Sequence, residues 1–144
     1  MQATRNSSEN KPAAARRLSI LIADDDVDTV LTLATMLRDQ GHVVHTCANA
    51  NIVIEAVERY QPDVCILDIV MPGKTGFSIA RDMLRMQLAK RPVLIALTGV
   101  FTKASDEVIA RTAGFDYFVR KGGDPNELLG LIAELAGPEA PSAA

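Results

Sequence analysis

No apolar run in this 144-residue chain approaches the roughly 18 residues needed to cross a bilayer. The opening stretch, MQATRNSSENKPAAARR, has basic residues but no apolar segment of signal-peptide length. Neither a membrane span nor a secretory leader is therefore read. Positive charge is not in excess either. The 15 Lys and Arg are outnumbered by 18 Asp and Glu, and no basic stripe gathers them, so direct nucleic-acid binding is not expected. Cysteine is scarce. Cys47 and Cys65 sit in apolar stretches without metal-ligand spacing, so they read as reduced core residues and favour the cytoplasm. The only histidines, His42 and His45, flank one apolar segment and read as surface or structural. What remains is ordinary, with 48% hydrophobic and 23% charged residues, enough to build one globular domain.

Between a polar N-terminal arm (1–16) and a tail (137–144), both read as disordered, the pattern alternates. Apolar strands are expected over 18–23 (β1), 42–47 (β2), 64–69 (β3), 93–97 (β4) and 115–119 (β5). Helices are expected over 27–40 (α1), from 49 or 50 to 60 (α2), 77–88 (α3), 103–113 (α4) and 124–136 (α5). In α1, Val27, Val30, Leu31, Ala34 and Leu37 recur at helical spacing, and Gly41 stands where a C-cap belongs. In α2, Val53, Ala56, Val57 and Tyr60 share a face. In α5, Asp124 suits the N-cap and Pro125 the first turn. Leu128, Leu129, Leu131, Ile132 and Leu135 form its apolar face. Near-continuous apolar strands alternating with helices imply a parallel sheet covered on both sides, an α/β sandwich.

In open parallel sheets, function gathers at the carboxyl ends of the strands. The polar residues falling there are few. Asp24 and Asp25 end β1, Asp68 ends β3, Thr98 ends β4 and Lys121 ends β5. Asp24, Asp25 and Asp26 are consecutive, and three adjacent carboxylates need a cation or a proton unless all are solvated. Convergence from four strands argues against a solvated turn. A carboxylate set without His or Cys suits a hard cation such as Mg2+. Asp68 could act as a nucleophile toward a phosphoryl group, Lys121 could bind a phosphoryl oxygen, and Thr98 could donate its hydroxyl to one.

These residues, in LIADD, ILDIVMPGKTG, IALTG and DYFVRK, make the segment over about 17–136 resemble a response regulator receiver domain of two-component signalling. The resemblance implies a flavodoxin-like (βα)5 fold with strand order 2-1-3-4-5. It implies that Asp68 accepts phosphate from a histidine kinase or histidine phosphotransfer protein. Asp25 would bind Mg2+ directly, Asp24 mainly through water, and the Val70 backbone carbonyl would be a further ligand. Asp26 would lie outside the acidic pair, facing solvent. Phosphorylation would draw Thr98 inward, Phe118 beside Tyr117 would follow, and the face built from α4, β5 and α5 would change for a downstream partner or a homodimer. Plain core packing is the competing account of Phe118.

Three departures from the family pattern stand out. Lys121 is followed by Gly122-Gly123 rather than Pro, which would make the loop more flexible and the placement of Lys121 less certain. Gly99 replaces a commoner Ala. Val70 and Val100, two residues after Asp68 and Thr98, cannot orient an attacking water, so slow self-dephosphorylation is expected. The residues after α5 are too few for an output module, which points to partner binding or onward phosphate transfer, and the starting Met and both arms favour a stand-alone protein over a piece of a hybrid kinase. The chain is not expected to be a turnover enzyme. An aspartate-nucleophile phosphatase would need a second acid at position 70, and a flavin module would need a hydroxyl- and Gly-rich loop after β1. An interaction module that works without phosphorylation is the remaining alternative.

Overall fold

The computed structural model describes residues 16–71, 74–99, 111 and 113–137. The strands are β1 Ser19–Ala23, β2 Val43–Cys47, β3 Val64–Asp68, β4 Val93–Thr98 and β5 Tyr117–Arg120. They form one parallel sheet in the order β2-β1-β3-β4-β5. The helices are α1 Val27–Asp39, α2 Val53–Tyr60 (entered through a 3-10 turn, Ala50–Ile52), α3 Gly76–Arg85 and α5 Pro125–Leu135. The expected α4 over 103–113 lies outside the described residues apart from Arg111 and Ala113.

Strand residues alternate between two cores, as the two-residue period of a strand requires. Leu21, Cys65, Leu67, Leu94 and Ala96 point to α2 and α3, where Val53, Val57, Ile79, Ala80 and Met83 meet them. Ile20, Ile22, Val64, Ile66, Ile95 and Leu97 point to Val30, Ala34 and Leu37 of α1 and to Leu128 and Ile132 of α5. Both expected cysteines are free and buried, within the first of these cores.

Several boundaries differ from the sequence reading. α3 stops at Arg85 because Met86 adopts an extended backbone. β5 begins at Tyr117 and runs to Arg120, although Asp116 N–H already bonds Leu94 O at 2.8 Å. In α1 the buried stripe is narrower than the apolar pattern. Val27 is 62% and Leu31 58% exposed, because α1 seats itself through Val30, Ala34 and Leu37. In α2, Tyr60 leaves the core and stacks on His45 with ring centroids 3.7 Å apart. In α5, only Leu128 and Ile132 are fully buried. Lys90 pairs with Asp63, though it stays about half exposed, where such pairs contribute little.

The amino edge of the sheet is sealed by a repeated device. The residue just before a strand uses its side chain to accept a backbone N–H at or beside the start of the neighbouring strand. His42 Nδ1 takes Leu18 N–H at 3.1 Å, Asp63 Oδ2 takes Ser19 N–H at 2.8 Å, and Asp116 Oδ2 takes Leu94 N–H at 2.9 Å. Buried backbone donors without partners are costly, so these three bonds protect the edge. Two arginines add to it. Arg16 Nη2 donates to Leu135 O at the end of α5, and Arg17 Nε donates to Gly41 O just beyond α1, both at the negative ends of helix dipoles.

Because His42 is buried with its Nδ1 lone pair committed, desolvation lowers its pKa below 6.5. The folded state therefore resists protonation. Its contribution to stability is complete above about pH 6.5 and is lost as the pH falls through the lower folded value. A His42→Asn variant keeps an acceptor for Leu18 N–H without a titrating ring. Urea unfolding from pH 7.5 to 5 is expected to show a decline for the wild type that is shallower in His42→Asn; parallel curves would refute this assignment.

Candidate functional site

At the opposite edge, β1, β3 and β5 deliver three charged side chains to one point. Asp24 directly follows β1 and is 1% exposed, and Asp68 closes β3 at 4%. Lys121 follows β5, and its Nζ lies 3.0 Å from Asp24 Oδ1 and 3.2 Å from Asp68 Oδ2. Three observations place this lysine. Thr98 and Arg120 are register partners, Lys121 N–H bonds Thr98 O at 2.8 Å, and the next residues form a tight turn. Gly123 N–H returns to Arg120 O at 3.3 Å, with Gly122 at φ +81°. That is the hydrogen bond and positive φ of a type II turn, which calls for Gly at its third position. Gly122-Gly123 thus forms a turn of its own directly after Lys121.

Asp25 is exposed beside this pair. One carboxylate oxygen from each of Asp24, Asp25 and Asp68 lies within 4.8 Å of the others. Asp26 takes no part and is exposed, as expected. Its own role was missed: it is the N-cap of α1, accepting Asp28 N–H at 3.2 Å and the Thr29 hydroxyl at 2.8 Å. An Asp immediately before the first helical residue was the signal for this. The triple aspartate therefore divides into two site carboxylates and one helix cap.

The loop after Asp68 is tied closely to it. Val70 N–H bonds Asp68 Oδ1 at 3.1 Å, Gly76 N–H bonds Ile69 O at 2.8 Å, and Val70 pairs with Thr75 as an isolated antiparallel bridge. Thr75 Oγ1 caps α3 by accepting Ser78 N–H at 3.1 Å. A Cβ on Gly76 would stand 2.8 Å from Asp68 O and 2.9 Å from Ile69 Cα, so only Gly lets α3 start against the Asp68 backbone. Val70 itself is 71% exposed. Thr98 is buried at the end of β4, and Phe118 is half-buried on β5. The two line one cavity of about 530 Å3. Val100 lies outside the described residues.

Electrostatically the site is short of positive charge. Three carboxylates face one ammonium, leaving two negative charges for a cation to match. Burial raises the Asp24 pKa despite bonds from Asp26 N–H and Lys121 that lower it. For Lys121, burial pulls the pKa down, but the bonds to Asp24 and Asp68 outweigh it and hold the ammonium above its ordinary value. Asp24 Oδ2 is buried without a hydrogen-bond partner among the described residues. An orphaned buried carboxylate oxygen in an all-oxygen donor set fits a hard divalent cation. Mg2+ holds its oxygens at about 2.0–2.1 Å, so oxygens of one shell are about 3–4 Å apart, which small movements of these carboxylates reach.

Residues 20–133 match the family described as the response regulator receiver domain. The chain is similar to Protein PilH of Pseudomonas aeruginosa, at 33% identity over 120 residues that cover 82% of this chain and 98% of PilH. Among solved structures it resembles the chemotaxis response regulator CheY4 of Vibrio cholerae, with a TM-score of 0.76 and 23% identity, covering 83% of this chain and 98% of that one. It also resembles the BeF3-activated N-terminal receiver domain of Klebsiella pneumoniae RstA, with a TM-score of 0.73 and 23% identity, covering 82% and 97%. At these identities the structures establish the flavodoxin-like sandwich and its strand order 2-1-3-4-5.

Because the Asp24 pKa is raised, its charge costs stability. The favourable contribution exists below about pH 3.8, the ordinary value, and is lost as the pH rises through the higher folded one. Asp24→Asn keeps an acceptor for Lys121 and Asp26 N–H and removes the buried charge. Without added metal it is expected to melt higher at pH 7 by about 4 °C, the shift on the order of 1 kcal/mol brings in a domain this size. The gain should shrink as the pH falls toward 4. An unchanged or lower melting temperature at pH 7 would contradict the desolvation account.

Proposed function

The chain belongs to the response regulator receiver domain family, and on that premise we propose that Asp68 is its phosphorylation site in a two-component phosphorelay. The observation that carries the reading is the ammonium of Lys121 spanning Asp24 and Asp68, with Asp25 alongside.

In the proposed step, a carboxylate oxygen of Asp68 attacks the phosphorus of a phosphohistidine on a histidine kinase or histidine phosphotransfer protein. The P–N bond breaks, the imidazole nitrogen keeps the electron pair and takes up a proton, and an acyl phosphate remains on Asp68. Asp24, Asp25 and Asp68, with the Val70 carbonyl, would hold Mg2+, which supplies the charge neutralisation an anionic donor needs beside three carboxylates. Lys121, charged throughout the neutral range, binds a phosphoryl oxygen while its backbone stays anchored to Thr98 O. The Thr98 hydroxyl donates to another. Phosphorylation brings about two negative charges to this edge. Thr98 and then Phe118 carry that change to the α4–β5–α5 face, the site of downstream protein contact. The chain promotes its own phosphorylation and has no separate substrate to turn over. Cys47 and Cys65 are free, buried thiols whose pKa burial raises; unpaired core cysteines of this kind suit the cytoplasm, where we place the protein.

Intact mass after incubation with a small acyl phosphate tests the chemistry. A single phosphoryl adduct is expected with Mg2+, and none with EDTA or in Asp68→Asn. An adduct that survives Asp68→Asn would reject the site. The lifetime of the adduct tests the reading of Val70. An apolar, largely exposed side chain two residues after Asp68 cannot hold a water in line for attack, so the phosphorylated form is expected to persist for many minutes in Mg2+. Decay within seconds would show that another group positions the water.

A further inference from the structure

Three of the four phenylalanines in this aromatic-poor chain stand in one row. Phe77 follows Gly76, the residue pressed against the Asp68 backbone. Its ring meets Phe115 edge-on, with centroids 6.3 Å apart and planes at 79°. Phe115, 3% exposed, meets Phe118 at 6.5 Å and 48°. The row ends in a cation: the Arg111 guanidinium carbon lies 5.0 Å from the Phe118 ring centroid. Phe118 also borders the cavity of about 530 Å3 that it shares with Thr98. Among the described residues, the ring borders this cavity toward Thr98 and makes contact with Phe115 and Arg111.

We propose that Arg111 is a positioning residue: its guanidinium clamps the Phe118 ring in the placement seen here, against the Phe115 and Phe77 rings, and sets how readily the ring leaves it. This rests on the reading of Asp68 as the phosphorylation site and adds a residue that the phosphoryl chemistry does not use. A cation over an aromatic face at a partly exposed position contributes about 0.5–1 kcal/mol, two- to fivefold in a two-state population. Phe118 offers no hydroxyl, so the attraction acts on the ring face alone. Inward movement toward Thr98 breaks the contact. By reciprocity, whatever the clamp withholds from the moved state is subtracted from the affinity of Asp68 for a phosphoryl mimic. The fixed end of the row reinforces this. Phe77 cannot yield easily, because Gly76 is held by the Ile69 carbonyl and leaves no room against Asp68 O, and Phe115 is therefore a rigid backstop.

The test is an NMR titration of the full chain with beryllium fluoride in excess Mg2+, following the backbone amides near Asp68 and the Arg111 side-chain Nε–H. In the wild type, the Nε–H resonance is expected to lose its ring-current shift as the mimic binds. Arg111→Ala is expected to lower the half-saturating concentration two- to fivefold, and Arg111→Lys to recover most of the difference by restoring a cation. In a Phe118→Leu background, Arg111→Ala is expected to change nothing, which separates the clamp from a general effect of charge on an anionic ligand. An unchanged or raised half-saturation in Arg111→Ala overturns the clamp alone, as does an equal effect in both backgrounds. Failure of the wild type to take up the mimic overturns the reading of Asp68 and the clamp with it.

Discussion

The site depends on one interaction, the bridge from Lys121 Nζ to Asp24 and Asp68. Two carboxylates at the ends of adjacent strands, both nearly without solvent, repel each other strongly in a low-dielectric edge. The ammonium relieves part of that repulsion and leaves the rest. Burial adds to it: one buried Asp24 oxygen has no hydrogen-bond partner among the described residues, and desolvation, with a smaller part from the Asp68 charge, raises the Asp24 pKa. A site assembled this way is deliberately under-neutralised. Its donor atoms are all carboxylate oxygens, the set that suits a hard divalent cation.

The two edges of the sheet solve opposite problems. At the amino edge, His42, Asp63 and Asp116 each satisfy a strand N–H, and polar groups there serve stability. At the carboxyl edge, charged groups converge, and among the described residues one buried Asp24 oxygen goes without a hydrogen bond. Side chains on the sheet faces are apolar and packed into two cores, so the frame is stiff where it must hold charges at fixed separations. The loops at the functional edge are positioned by backbone contacts: Gly76 against Asp68, the turn at Gly122, and Lys121 N–H on Thr98 O. Each is a place where a small residue or a main-chain bond sets the location of a charged one.

Much of this was legible in the residues. The alternation of apolar strands and amphipathic helices predicted the sandwich, because a strand buried on both faces must be apolar throughout. Asp24, Asp25, Asp68, Thr98 and Lys121 could be picked out since each ends an apolar strand. Less legible were features that depend on which side of a helix meets the sheet. Val27 and Leu31 belong to the apolar pattern of α1 yet lie exposed, and Tyr60 leaves the core for His45. Periodicity identifies a stripe, but the width that is buried depends on the partner surface. The cap role of Asp26 was hidden by its acidic neighbours, and the roles of Asp63 and Asp116 by the distance between strands in the chain.

By itself, the sequence determined the fold class, the order of elements and the identity of the charged residues at the strand ends, because these follow from local pattern and chain connectivity. Only the tertiary structure decided that the Lys121 ammonium lies between Asp24 and Asp68, that one Asp24 oxygen has no partner among the described residues, and that Phe77, Phe115, Phe118 and Arg111 form one row. These facts depend on distances between segments up to 97 residues apart. Such distances are set by strand order, register and close packing, none of which is written in any single stretch of the chain.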